Sequence, residues 1–160
     1  MIEKKVLVKN LEVNYKIFGK GSPMLILHGW GSKSDKWQKV AELLTENPSA
    51  GSGQENIMVI IPDLPGFGAS QEPKQPWNLD NYVEWVNEFS QKVYELDGGF
   101  NLLGHSFGGA VSAKFAVKYN QKVERLFLVA AACVRKNTFF KKVLYRFSKF
   151  ITSLFLLSNI

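Results

Sequence analysis

The chain has 160 residues, of which 46% are apolar, 13% aromatic and 21% charged, enough for one packed domain and incompatible with a disordered or collagen-like chain. A single cysteine, Cys133, excludes an internal disulfide framework and a cysteine-based zinc site, and reads as a small core residue at a strand end. The net charge of +6 is local: all fourteen Asp and Glu lie at or before Glu124, whereas Arg135 to Lys149 holds six Lys and Arg and no acid, so no general nucleic-acid-binding surface is expected. Met1 to Asn10 lacks the apolar stretch of a secretory signal, and no run of about 18 apolar residues is found. The expected compartment is cytoplasmic.

In chain order, residues 4–8 and 11–18 read as two strands around a Lys9-Asn10 turn, with Val6, Val8, Leu11, Val13, Tyr15 and Ile17 alternating. Gly19, Gly21, Ser22 and Pro23 interrupt the chain, and Met24 to Leu27 is an apolar run suited to a strand buried on both faces. A helix near 35–46 follows, with Trp37, Val40, Ala41 and Leu44 on one side and Ser34 or Asp35 as its cap. Asn47 to Asn56 is a polar Gly/Ser loop. Ile57 to Ile61 forms the next buried strand, and a Pro/Gly loop runs on to Pro76. From Leu79 to Leu96 the residues Tyr82, Trp85, Val86, Phe89, Val93 and Leu96 make one helical core stripe. Asp97 reads as a helix-end turn residue. Phe100 to Leu103 is a short strand, 107–119 a small-residue helix, and Leu126 to Ala130 a fourth buried strand, with Glu124 solvated at its opening. This rhythm predicts an α/β fold with a mostly parallel sheet flanked by helices.

Three glycine-bearing turns directly follow buried strands: Leu27-His28-Gly29-Trp30-Gly31, Asp63-Leu64-Pro65-Gly66-Phe67-Gly68 and Gly104-His105-Ser106-Phe107-Gly108-Gly109. Ligands of parallel α/β sheets sit beyond the carboxyl ends of the strands, so all three fall on the functional edge. The third fits G-x-S-x-G between a strand and a helix. Gly104 and Gly108 allow close approach, and Ser106 is thrust out at a helix start where free amides face developing negative charge.

These motifs, in this order, resemble the α/β-hydrolase superfamily in its serine esterase and lipase branch, over nearly the whole chain. The resemblance implies that Ser106 is a nucleophile and that the backbone N–H groups of Trp30 and Phe107 form an oxyanion hole. It implies that His28 and Gly29 brace the oxyanion loop, with His28 given little share in base chemistry. It makes His105 the variable position of the elbow, its side chain directed away from the Ser106 hydroxyl. The Asp63–Gly68 turn shapes the sheet edge and carries no assigned chemistry. The implied substrate is a small ester or acyl compound, with no cofactor, no metal and no nucleic acid. Serine also separates the chain from relatives that carry aspartate at the nucleophile position.

The superfamily places its acid and histidine after the nucleophile. Here both histidines precede Ser106 and no Asp or Glu follows Glu124. The expectation is therefore the N-terminal part of a hydrolase, 1–133 being core and 134–160 the start of a helical lid, nearly inert unless a completing chain supplies the missing groups. In 138–157, Phe140, Leu144, Phe147, Ile151 and Leu154 oppose Lys142, Arg146 and Lys149, a cationic amphipathic helix. It reads as a lid element or, alternatively, as a surface docking on a membrane or partner in a non-catalytic module.

Overall fold

A computed structural model describes residues 1–46 and 56–132. The loop centred on 47–55, Cys133 and the cationic segment 138–157 lie outside the described residues. Six strands are seen: β1 (Ile2–Val8), β2 (Leu11–Gly19), β3 (Ser22–Leu27), β4 (Ile57–Pro62), β5 (Phe100–His105) and β6 (Val123–Val129). They form one sheet in the order β1-β2-β4-β3-β5-β6. The β1–β2 and β2–β4 pairs are antiparallel; β4–β3, β3–β5 and β5–β6 are parallel. Lys9 and Asn10 both take positive φ, 48° and 60°, as a two-residue turn matched to strand twist requires.

The strand runs divide cleanly between two faces. Phe18, Met24, Ile26, Val59 and Ile61 pack with Ala41 of α1 (Gln38–Glu46). On the other face Leu25, Leu27 and Ile60 meet Trp85, Val86 and Phe89 of α2 (Leu79–Lys92) and Val111 and Phe115 of α3 (Phe107–Lys118). Burial on both faces is why β3 and β4 are continuously apolar. The Asn78 and Asn81 side chains each accept from the other's backbone N–H, at 3.0 and 2.9 Å, which fixes the start of α2.

Two local expectations are corrected. The helix expected at 35–46 opens as a 3-10 turn over Ser34–Trp37, and neither Ser34 nor Asp35 caps it. Asp35 is instead drawn to Lys16 and to Lys33, 2.7 Å away, which hold its carboxyl down at about 2. The stripe expected to run helically to Leu96 leaves the α-helix at Lys92, and Tyr94–Leu96 is a 3-10 turn, although Val93 and Leu96 stay buried. β6, apolar as a buried strand is, stands as the unpaired sheet edge that an N-terminal part without the later strands implies: Leu126, Phe127, Leu128 and Val129 are 38–45% exposed, because among the described residues only β5 pairs with it. An apolar run signals what a strand is built to contact, and cannot by itself report whether that neighbour lies among the same residues. Among the described residues no helix is long and apolar enough to cross a membrane.

Candidate active site

The β5–α3 junction places Ser106 at φ 51°, ψ −114°, a backbone conformation seldom occupied by residues with a side chain. It is held from both ends. The Ser106 N–H donates to the Val129 carbonyl at 3.0 Å, and its own carbonyl accepts from Ala132 and Ala110 at 2.9 and 3.2 Å. Steric room comes from the flanking glycines. A Cβ on Gly104 would strike the Ser112 hydroxyl, the Gly108 carbonyl and Gly109; one on Gly108 would strike the carbonyls of Leu27 and His28. The N-terminus of α3 is thus pressed against the end of β3.

That contact brings the first glycine turn to the serine. A Cβ on Gly29 would lie 3.2 Å from the Ser106 Cβ and 3.1 Å from His105 Nδ1. Trp30 beyond it is 68% exposed, its ring edge-on to Phe67 and to Phe107, at 5.0 and 5.2 Å between centroids. The His105 ring is half-buried and lies 5.7 Å from that of Trp37.

His28 is fully buried and both ring nitrogens are engaged. Nδ1 lies 2.8 Å from the Gly29 carbonyl, and Nε2 accepts from the Leu64 N–H at 3.0 Å. This pairing requires the neutral ring protonated on Nδ1. Burial pushes its pKa down, against smaller opposing contributions from the Gly29 hydrogen bond and the Asp63 charge. The unfolded chain binds a proton near the ordinary value of 6.5 whereas the folded chain resists it, so folding stability is complete above that value and is lost as pH falls through it. The unfolding free energy from urea titration is expected to drop between pH 7 and 5.5, at no more than about 1.4 kcal/mol per pH unit. In His28→Asn this drop should shrink, because the amide does not titrate.

The second turn is tied in by Asp63, a connection that its shaping role in the sequence did not specify. Its buried carboxylate accepts from the Ser34 N–H at 2.6 Å, the Ala69 N–H at 2.9 Å and the Asn14 amide at 3.4 Å. It thereby satisfies the helix start that Ser34 and Asp35 do not cap. Gly68, at φ +58°, packs so closely on this carboxylate that any side chain would collide with it. Among the described residues no cluster of three or more His, Cys, Asp or Glu is disposed to hold a metal ion.

The wall beyond Trp30 also escaped the sequence reading. Tyr82, read as core stripe, is buried and donates its hydroxyl to the Pro65 carbonyl at 3.1 Å. Its ring meets Phe107 at 5.1 Å and Trp77 at 5.2 Å. A cavity of about 360 Å³ opens between Trp30, Phe67, Trp77 and Tyr82. Aromatic spacing offered the signal, but Trp77 lies in a Pro-rich loop without periodicity.

The order of strands and the crossing of the serine turn define an α/β-hydrolase architecture. Residues 22–155 match the family described as alpha/beta hydrolase fold, and the chain belongs to that family. It is 33% identical over 113 residues to Lipase 3 of Moraxella sp. (strain TA144), covering 70% of this chain and 32% of that protein. It is 31% identical over 134 residues to a 2-hydroxy-6-oxo-2,4-heptadienoate hydrolase of Pseudomonas putida, covering 83% of this chain and 46% of that one. The crystal structure of a putative lipase from Acinetobacter baumannii AYE superposes with a TM-score of 0.74 at 28% identity, over 85% of this chain and 43% of that chain. The chain therefore spans about a third to a half of the length of these relatives.

Proposed function

We propose that the chain bears the nucleophile and oxyanion hole of a serine hydrolase acting on carboxylic esters or related acyl compounds. The observation that carries this reading is the backbone of Ser106: a disfavoured conformation, fixed by β6 on one side and abutted by the Gly29 turn on the other. Strain of this kind persists only where surrounding structure over-determines it, and it clusters at reacting groups. The similarity to lipases and to a 2-hydroxy-6-oxo-2,4-heptadienoate hydrolase supports this reading.

In the proposed reaction the Ser106 oxygen attacks the acyl carbon as its proton passes to a base. The carbonyl oxygen becomes an oxyanion, which the Phe107 and Trp30 N–H groups stabilise at the start of α3. Collapse breaks the bond to the alcohol, which leaves with the proton from the base, and water then hydrolyses the ester on Ser106. Neither histidine of the chain suits the base role. His28 spends both nitrogens on backbone groups, and His105 lies against Trp37. The base and the acid that orients it are assigned to residues other than these 160, on a continuing or a separate chain.

Without a base the chain retains on the order of 10³–10⁴ of rate over water, from the oxyanion hole and binding alone. Turnover is consequently a poor test and covalent labelling a better one. A fluorophosphonate probe is expected to label the unaltered chain at Ser106, faster with imidazole added as an external base, and to leave Ser106→Ala unlabelled. Equal background labelling of both proteins, with and without imidazole, overturns the proposal.

A further inference from the structure

The rings beside the serine turn form a continuous series. Phe67 meets Trp30, Trp30 meets Phe107, Phe107 meets Tyr82 and Tyr82 meets Trp77, all edge-to-face with centroids 5.0–5.2 Å apart. Four of these five rings line the 360 Å³ cavity, which also takes in Glu72 and Lys74; the fifth, Phe107, directly follows Ser106. A group held in the cavity is therefore connected by one aromatic wall to the reacting position.

The wall is built in advance. The Gly66 N–H donates to the Gln71 carbonyl at 3.0 Å, the Phe67 N–H to the Leu64 carbonyl at 2.9 Å, and the Tyr82 hydroxyl to Pro65 at 3.1 Å. A ligand entering it need not order the loop, which favours binding.

Two Trp, one Tyr and one Phe line a single space, a set of aromatic side chains whose ring quadrupoles attract an organic cation. Glu72 adds a full negative charge on the same space. Burial raises the pKa of the Tyr82 phenol, and the Glu72 carboxylate raises it further, so the negative field reaches the inner wall. Lys74 lines the same space with the opposite charge; Glu72 and Lys74 are both exposed, and the longer, flexible stem of Lys74 allows its ammonium to stay in water.

We propose that this aromatic cavity is a subsite for a quaternary or alkylated ammonium group, carried on the substrate whose acyl carbon reaches Ser106. The assignment of that group to the substrate rests on the serine-hydrolase reading; its binding to the cavity does not.

The test compares choline with 3,3-dimethyl-1-butanol, which has the same shape with carbon in place of the charged nitrogen. Binding to the full chain is followed by tryptophan fluorescence and by saturation transfer to the ligand methyl groups. Choline is expected to bind about tenfold tighter than the alcohol, the order of effect that ring–cation attraction supplies. Glu72→Gln should weaken choline about threefold and leave the alcohol unchanged, whereas Lys74→Ala should tighten choline. Both substitutions are at exposed positions, and the ligand comparison itself needs no variant. Ser106→Ala should bind choline as the unaltered chain does while losing fluorophosphonate labelling. Failure of the hydrolase reading would thus appear in labelling and failure of the subsite in choline binding. Equal or tighter binding of the alcohol, or no saturable binding of choline, overturns the subsite.

Discussion

Gly108→Ala is expected to lower stability by about 3 kcal/mol, the upper part of the usual range for overpacking. In a helix this exchange would ordinarily gain about 1 kcal/mol from propensity. Here the new methyl lands on main chain: 2.6 Å from the His28 carbonyl and nearer still to that of Leu27. Neither oxygen can swing aside, since Leu27 ends a central strand paired with β5 and His28 is clamped by Leu64. Relief requires α3 to move away from β3. Gly31→Ala is the control. It has the left-handed φ of +71° but nothing within 4 Å of the added carbon. Its cost should be about 1–2 kcal/mol, from backbone conformation alone. Thermal melts of both variants check the difference, which for a chain of this size is on the order of 2–4 °C per kcal/mol. Equal destabilisation would mean that backbone angle, not close approach, dictates glycine at 108.

Ser106→Gly is expected to move stability and reactivity in opposite directions. The serine occupies φ 51°, ψ −114°, where a side chain costs about 1–3 kcal/mol and glycine nothing comparable. Glycine gives back part of this through the greater freedom of its unfolded chain. A net gain of about 1 kcal/mol remains, or a rise of about 3 °C in melting temperature. Covalent labelling should vanish because the hydroxyl is gone. A melting temperature lowered by this substitution would show that the Ser106 side chain repays its backbone strain through contacts of its own. The expected result is the trade between stability and activity that reacting sites commonly carry.

Much of this was legible in the chain itself. The alternation in β1 and β2, the uninterrupted apolar runs of β3 and β4 and the stripe of α2 are local patterns, and they mark the elements that form. The three glycine turns could also be found, because close backbone approach leaves a compositional trace. What could not be read is long-range pairing. Nothing around Ser34 indicates that its N–H is served by Asp63 from another turn, or that Asp35 turns instead to Lys16 and Lys33. Trp77 and Glu72 gave no pattern because loops have no period.

The ties between the serine turn and β6 bear on timing during synthesis. The amide and carbonyl of Ser106 are completed by Val129 and Ala132, well downstream. A nascent chain that has emerged only as far as α3 lacks the partners that hold the bend in its disfavoured state. The bend is completed only once β6 has been made and pairs with β5.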